Sequence, residues 1–121
     1  MQTLGDIGEH EIIRRITQGL VEDKDTLTGP GDDCAVVRPS PNLNEDWVFT
    51  SDPVIEKRHF ASDAEPGSIG HKAIARALSD IAAMGAKPAW ALINIVARES
   101  MPCEDLETLY TGLRCTAARF N

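Results

Sequence analysis

The sequence predicts a small α/β or α+β domain in which helices pack on one face of a small mixed sheet. Three observations lead to this fold class. Apolar residues recur at helical spacing in three segments. Short runs of β-branched and aromatic residues alternate with those segments. Glycine and proline separate the two kinds of segment, and the predicted order is helix, two strands, helix, strand, helix.

The first half of the chain predicts one helix and a hairpin. The helix covers residues 6–20, because Asp6 and Glu9 have the spacing of a capping box and isoleucines follow at helical intervals. A charged loop rich in glycine and proline comes next. Cys34–Val37 and Trp47–Ile55 are the first two predicted strands, and turn residues between them predict a hairpin with a long loop.

The second half predicts two helices around one strand. The helix Pro66–Met84 begins with a proline, which suits a first helical turn, and a glycine directly after it marks the end. Trp90–Ala97 is a nearly continuous apolar run and predicts a third strand that is covered on at least one face. Pro102–Asn121 is the last predicted helix. Three strands make a thin sheet, so we expect a partner subunit or a further strand.

Length and charge limit the function classes. A chain of 121 residues predicts one domain over 1–121, with an N-terminal helix and loop at 1–28 and an α/β core at 29–121. The net charge of -7 argues against a nucleic-acid partner. No apolar run reaches the roughly 18 residues of a membrane span, and the N-terminus lacks the pattern of a secretion signal. We therefore expect a cytoplasmic protein with no nucleic-acid or membrane partner.

Acidic residues at three separate places are the main candidates for chemistry. Asp80 falls at the margin of the apolar face of its helix, where it pairs with Arg76, caps a loop or binds a ligand. Asp32 and Asp33 precede the first strand, and Asp52 follows the second. If these carboxylates converge, a cation is the natural reason, and oxygen ligands suit Mg²⁺. Each taken alone is more typical of turn or ion-pair chemistry.

Two further segments keep a structural and a functional interpretation. Gly29–Gly31 is either a plain turn or a place where backbone amides approach a phosphate, although the Walker pattern is absent. Glu56–Phe60, the sequence EKRHF, is either a solvated loop or a loop that faces an anion.

Three stretches together resemble a known family. GDDCAVV, TSDPVIEKRHF and IGHKAIARALSDIAAMGAKPAWALINI resemble, in order and spacing, the N-terminal domain of the thiamine-monophosphate kinases. These enzymes belong to the aminoimidazole-ribonucleotide synthetase-like superfamily. The resemblance runs from about Leu4 to the final helix.

The resemblance implies an ATP-dependent transfer of a phosphoryl group to thiamine phosphate, which gives thiamine diphosphate. It implies Mg²⁺ bound by Asp33, Asp52 and Asp80, with Asp32 and Ser51 in support. It implies ATP binding by Gly31, Asp33, Thr50, Lys72, Ser79 and Asp80, and places His59 on the substrate side. No catalytic nucleophile or base is assigned. It also implies a homodimer in which two such sheets pair in a barrel, and a C-terminal domain that this chain lacks.

Three positions depart from the family pattern. Lys57 and Arg58 stand where the kinases have small or apolar residues, and Ala77 stands where asparagine is common. These departures leave two alternatives open: a related ATP-dependent synthetase with another acceptor, or a non-catalytic nucleotide-binding or dimerisation module.

Overall fold

The computed structural model describes residues 2–21, 23–42 and 44–120 of the chain. Its residues group into two compact units, 1–50 and 51–121. The element order is two short helices, three strands and two longer helices. None of the helices in the described parts of the chain combines the length and apolarity needed to cross a bilayer.

The N-terminal helical segment differs from the prediction of one helix over 6–20. It forms α1, Leu4–Ile7, and α2, Glu9–Ile16, separated by Gly8 at a φ of 75°. The predicted capping box of Asp6 and Glu9 is wrong, because the Asp6 carboxylate binds Thr3, the residue before the helix, and not a residue that follows it. It accepts hydrogen bonds from the backbone N–H of Thr3 at 2.8 Å and from the Thr3 hydroxyl at 2.7 Å. The helix therefore starts earlier than predicted, and glycine breaks it.

The first unit also contains a sheet of three short strands: β1, Thr26–Thr28; β2, Ala35–Val37; and β3, Trp47–Phe49. The predicted hairpin is confirmed, since β2 and β3 pair antiparallel with Val36 opposite Val48. β1 was not predicted, and it pairs antiparallel with β2. The sheet is therefore antiparallel throughout and not mixed.

Residues 90–97 do not form the predicted third strand of the sheet; they are assigned to neither strand nor helix. Trp90 is 87% exposed, Leu92 102% and Val96 97%, so the predicted cover on one face is also absent from the described structure. The physical reason is that a strand needs a neighbour to take up its backbone hydrogen bonds. The elements described in the second unit are helices, which offer no such edge.

The second unit is built on α3, Pro66–Ala83, and α4, Cys103–Ala117. The start and the end of α3 agree closely with the prediction. Glu65 caps its N-terminus by accepting hydrogen bonds from Gly67 and Ser68, and Gly85 follows its C-terminus at a φ of 66°. The predicted end of α4 at Asn121 lies outside the described residues, and the observed helix stops at Ala117.

α3 and α4 pack closely because glycine occupies both sides of their contact. A Cβ placed on Gly70 would lie 1.9 Å from the Leu109 carbonyl oxygen, and one on Gly112 would lie 2.0 Å from the Gly67 carbonyl oxygen. The apolar side chains buried in the helix pair are Ile74, at 9% exposure, and Leu113, at 6%. The packing of helices on one face of the sheet, and the pairing of sheets between subunits, stay predictions.

Candidate functional site

Three of the predicted site residues of the first unit, Gly31, Asp32 and Asp33, lie on the turn that leads into β2. Gly31 has a φ of 119°, a conformation that a residue with a side chain rarely adopts. The Asp32 carboxylate accepts a hydrogen bond from the backbone N–H of Asp33 at 2.9 Å, which stabilises the turn. Both aspartates are exposed, and Cys34, which follows them, is buried at 3% exposure. The buried cysteine anchors the strand, and the turn before it leaves two carboxylates accessible to solvent.

The second unit brings two of the predicted acids to one arginine. The Arg76 guanidinium donates a hydrogen bond from Nη2 to Oδ1 of Asp52 at 2.7 Å. The Asp52 side chain is 20% exposed and the Arg76 side chain 36%. This hydrogen bond raises the pKa of Arg76, and the negative charges of Asp52 and Asp80 raise it further against the effect of burial. Arg76 is therefore the shared electrostatic partner of Asp52 and Asp80.

The geometry of this ion pair is incomplete. Only one nitrogen of the Arg76 guanidinium donates to Asp52, and the buried Nε of Arg76 has no hydrogen-bond partner among the described residues. In the first unit, by contrast, Arg38 donates two hydrogen bonds to the Asp46 carboxylate, from Nε at 2.6 Å and from Nη2 at 2.8 Å. Two-point pairing is the stronger and more specific arrangement for an arginine and a carboxylate.

The loop EKRHF is a closely hydrogen-bonded turn in which Lys57 and Arg58 are exposed. The backbone N–H of Lys57 donates to the carbonyl oxygen of Phe60 at 2.7 Å, and Lys57 itself has a φ of 64°. His59 Nδ1 accepts a hydrogen bond from the backbone N–H of Ile55 at 2.9 Å, so the proton of the neutral ring lies on Nε2. Lys72 on α3 donates from Nζ to the carbonyl oxygen of His59. The loop therefore holds His59 in a set orientation beside α3.

Taken together, the predicted site residues are spread over both units. Gly31, Asp32, Asp33 and Thr50 belong to the first unit, and Ser51, Asp52, His59, Lys72, Ser79 and Asp80 belong to the second. Ser51 and Ser79 are exposed, whereas Thr50 and Asp80 are half-buried. The margin position predicted for Asp80 agrees with its half-buried state.

A divalent metal does not fit the second unit as it is arranged. Within residues 2–21, 23–42 and 44–120, no three His, Cys, Asp or Glu side chains come together as a metal site. Asp52 and Asp80 are carboxylates, which suit Mg²⁺, but the cation beside them is Arg76. The set of metal ligands therefore stays a prediction.

Sequence reasoning missed the partner of Asp52. It considered Arg76 only as a partner of Asp80, because the two are one helical turn apart. The observed pair joins residues 24 positions apart: Asp52 lies in the segment after β3, and Arg76 lies on α3. No local pattern marks such a pair. The one available signal in the sequence was Arg76 itself, a basic residue on the same predicted helix as the candidate Asp80.

Residues 31–121 match the model of a protein family described as AIR synthase related protein, N-terminal domain. This match covers well over half of the chain. The chain belongs to this family. Membership of the AIR synthase related family agrees with a small domain of both helices and strands.

Several relatives of this AIR synthase related chain carry the name thiamine-monophosphate kinase. The protein of Corynebacterium glutamicum is 42% identical over 113 residues, which are 92% of this chain and 32% of that protein. The protein of Mycobacterium tuberculosis strain H37Rv is 32% identical over 118 residues, 97% of this chain and 34% of its own. That of Methanocaldococcus jannaschii is 33% identical over 104 residues, 85% of this chain and 31% of its own.

The chain spans about a third of the length of the curated relatives it matches. The resemblance inferred from GDDCAVV and the two later stretches is confirmed by these relatives and by the family model. No solved structure matches the chain.

Proposed function

We propose that this chain is the nucleotide- and metal-binding N-terminal part of a kinase that uses ATP to convert thiamine monophosphate into thiamine diphosphate. The observation that carries the proposal is the 42% identity, over 92% of the chain, to a relative named for that activity. Within the chain, the proposal is supported by carboxylates on a hydrogen-bonded turn before β2 and on α3.

The reaction requires little covalent chemistry from the protein. A phosphate oxygen of thiamine monophosphate attacks the γ-phosphorus of ATP, the bond from that phosphorus to the β–γ bridging oxygen breaks, and ADP leaves with the electron pair. The attacking oxygen is already ionised at neutral pH, so no general base is needed. Alignment and neutralisation of charge therefore supply most of the rate enhancement.

We assign the roles as the resemblance implies them. The proposed Mg²⁺ ligands are Asp33, Asp52 and Asp80, supported by Asp32 and Ser51. The proposed ATP contacts are Gly31, Asp33, Thr50, Lys72, Ser79 and Asp80. His59 is the proposed contact to the acceptor, and its Nε2–H is the group it has left to donate, because Nδ1 accepts from the backbone. We further propose one domain over 1–121, a homodimer paired through the sheets and a cytoplasmic location.

A second candidate is a related enzyme that phosphorylates or activates another acceptor. It is favoured by Lys57, a residue with a side chain that holds a φ of 64° in the loop assigned to the acceptor. A non-glycine residue in this conformation is strained, and such strain is concentrated at functional sites. Lys57 and Arg58 also add positive charge to this loop, which suits an acceptor with more negative charge than thiamine monophosphate.

The decisive experiment uses the gene product that carries this chain. It is incubated with ATP, Mg²⁺ and thiamine monophosphate, and thiamine diphosphate is quantified by chromatography. We expect product from the wild type and a loss of about 100-fold or more in kcat/KM for Asp80→Asn. Asp63→Asn is the matched control, since it removes the same charge from an exposed residue of the same unit that has no assigned role.

Three outcomes separate the candidates. Thiamine diphosphate formation that depends on Asp80 supports the proposal. If thiamine monophosphate gives no product while another acceptor is phosphorylated, the second candidate replaces it. If ATP binds but no acceptor reacts, and binding survives Asp33→Ala together with Asp80→Ala, the chain is a binding module and these acids are structural.

A further inference from the structure

The loop Glu56–Phe60 carries more positive charge than the residues around it neutralise. Lys57 and Arg58 are adjacent in this loop, and both are exposed. Glu56 is the one acidic residue of the loop, and its Oε2 lies 3.6 Å from Nη2 of Arg98. The acid of the loop is therefore already matched by a third cation. In a chain with a net charge of -7, such a local excess of cations favours a negatively charged ligand.

Lys72 brings a fourth cation to the same loop. Its Nζ donates a hydrogen bond to the carbonyl oxygen of His59, which is a neutral acceptor, so this contact leaves the charge of Lys72 uncompensated. Among the described residues, no ion pair joins Lys57, Arg58 or Lys72 to a carboxylate. Like charges gathered in one place repel one another, and a bound anion removes that repulsion.

Backbone hydrogen bonds fix the conformation in which the loop presents these cations. The N–H of Lys57 donates to the carbonyl oxygen of Phe60 at 2.7 Å, and the N–H groups of Arg58 and His59 donate to that of Ile55 at 3.2 Å and 2.8 Å. Lys57 has a φ of 64°, which is unfavourable for a residue with a side chain. Strain of this kind is concentrated at ligand-binding sites. A loop that is ordered before binding loses little conformational entropy when a ligand arrives.

His59 adds a neutral hydrogen-bond donor. Its Nδ1 accepts from the backbone N–H of Ile55 at 2.9 Å, which leaves the proton of the ring on Nε2. No residue in the described parts of the chain accepts a hydrogen bond from this Nε2–H. The ammonium of Lys57 and the guanidinium of Arg58 are donors as well. The loop therefore offers donors and cations together, which suits an oxyanion such as phosphate.

We propose that the loop Glu56–Phe60 is a phosphate-binding site that takes the phosphate group of a phosphomonoester. Lys57 and Arg58 supply the countercharge, because an ammonium and a guanidinium both pair strongly with phosphate oxygens. His59 donates from Nε2, and Lys72 is a positioning residue that holds the carbonyl group of His59.

The inference deepens the proposed function, on which it rests in placing this loop beside the acceptor. It identifies the group of the acceptor that the loop binds, its phosphate, and gives Lys57 and Arg58 that role. In the transfer reaction this phosphate must approach the triphosphate of ATP, and two cations on the acceptor side reduce the repulsion between the two anions. Binding of phosphate at this loop requires neither Mg²⁺ nor ATP, so it can be measured apart from the reaction.

The test is a titration of the full chain with inorganic phosphate, in EDTA and without nucleotide, followed by calorimetry. We expect saturable binding by the wild type. Lys57→Asn should weaken this binding about 5-fold, because asparagine tolerates the left-handed conformation but carries no charge. Arg58→Gln should weaken it about 5-fold as well, and the double variant about 20-fold.

Lys87→Gln is the matched control for the general effect of net charge. Lys87 is an exposed cation of the same unit, and no hydrogen bond or ion pair joins it to the loop among the described residues. Its phosphate affinity should stay within about 2-fold of the wild type. Arg58→Lys keeps the charge and should lose less affinity than Arg58→Gln. Circular dichroism and the unfolding midpoint identify any variant that fails to fold.

A second measurement follows His59 directly. In the chain labelled with ¹⁵N at histidine, the Nε2 resonance of His59 is recorded while inorganic phosphate is added. We expect a saturable shift in the wild type and none in the double variant Lys57→Asn with Arg58→Gln at the same concentrations. Sodium chloride at equal ionic strength should produce no saturable shift.

Turnover distinguishes the phosphate of the acceptor from the phosphates of ATP. The gene product that carries this chain is assayed with ATP, Mg²⁺ and thiamine monophosphate. The double variant should raise the KM for thiamine monophosphate about 10-fold and change the KM for ATP by less than about 2-fold. A rise in the KM for ATP alone would assign the loop to the nucleotide and overturn the inference.

The inference is also overturned if phosphate shows no saturable binding, if the double variant binds it as tightly as the wild type, or if the His59 resonance ignores it. These failures are distinct from failure of the proposed function. A double variant that makes thiamine diphosphate with an unchanged KM keeps the function and removes the inference. Phosphate binding that depends on Lys57 and Arg58, in a protein that makes no thiamine diphosphate, keeps the phosphate site and removes the function.

Discussion

The two units of the chain satisfy their backbone hydrogen bonds in different ways. In the second unit, α3 and α4 form their own backbone hydrogen bonds and need only each other, and Gly70 and Gly112 let them approach closely. In the first unit, the three strands have three residues each, and Trp47 and Phe49 on β3 are 40% and 52% exposed. Helices are locally complete, whereas short strands depend on neighbours.

This difference teaches where the stability and the chemistry lie. The side chains buried in the second unit are Ile74, Leu113 and Thr116, and Cys34 is their counterpart among the described residues of the first. Carboxylates occur in both units, on an exposed turn in one and on a packed helix in the other. Substitutions in the helix pair should therefore lower stability more than the same substitutions in the sheet.

The largest expected effect is on the core of the helix pair. Leu113→Ala removes a side chain that is 6% exposed, and we expect a loss of about 3 kcal/mol in the free energy of unfolding from lost burial and a residual cavity. Leu27→Ala on β1 removes the same atoms from a side chain that is 46% exposed and should cost about 0.5 kcal/mol. Urea denaturation measures both, and equal losses would contradict the comparison.

The next effect tests the close approach of the helices. Gly70→Ala puts a methyl group where the Leu109 carbonyl oxygen would lie 1.9 Å away, so α3 and α4 must move apart. We expect a loss of about 2 kcal/mol from overpacking. Gly5→Ala in α1 is the control, because its new Cβ would lie 3.8 Å from the nearest atom, the Thr3 hydroxyl oxygen. A fall in thermal midpoint for Gly5→Ala as large as for Gly70→Ala would argue against this packing.

A smaller effect comes from the acids that cap helices in the two units. Hydrogen bonds from the backbone N–H groups of Gly67 and Ser68 lower the pKa of Glu65 below its usual 4.5. Because the folded pKa is depressed, Glu65 contributes stability above its unfolded pKa, and this contribution is lost as the pH falls through the folded pKa. Glu65→Gln should therefore be less stable than the wild type at pH 7, and the difference should shrink as the pH falls through the folded pKa of Glu65.

Asp6 provides the matched case in the first unit. Its pKa is also lowered, first by the hydrogen bond from the Thr3 hydroxyl and then by that from the Thr3 backbone. Asp6 caps a helix of 4 residues, whereas Glu65 caps one of 18. We expect the same sign of pH dependence for Asp6→Asn with a smaller amplitude. Unfolding midpoints across pH 2 to 7 would refute this if Asp6→Asn had the greater effect.

The smallest expected effect concerns the exposed pair of Arg38 and Asp46. Its side chains are 46% and 35% exposed, so water and salt screen the attraction despite the two-point geometry. Arg38→Gln should lower the unfolding midpoint slightly in low salt, and 1 M NaCl should remove the difference. A loss that persists in 1 M NaCl would show that Arg38 contributes through packing instead.

The sequence predicted best the features that depend on neighbouring residues. The bounds of α3 followed from Pro66 and Gly85, and the hairpin followed from two β-branched runs separated by turn residues. The helix over 6–20 was wrong because Gly8 breaks it and Asp6 caps it in the other direction. β1 was missed because three residues in a charged loop carry no periodic signal.

The apolar run at 90–97 failed as a prediction for a different reason. Its composition suits a strand, but a strand exists only beside another strand, and composition does not supply the partner. In the candidate site, too, local features could be predicted and contacts between distant residues could not. Asp80 at the margin of its helix could be predicted from the helical period, whereas the pairing of Asp52 with Arg76 could not.

By itself, the sequence determined where the two longer helices and the hairpin lie, which acids are candidates and which family the chain resembles. These properties depend on side-chain period, capping residues and motif spacing, all of which act over a few positions. Only the tertiary structure decided that residues 90–97 form neither strand nor helix, that glycines bring α3 and α4 together, and that Arg76 contacts Asp52. Those contacts join residues distant in the chain, and their free energies depend on burial and geometry that exist only after folding.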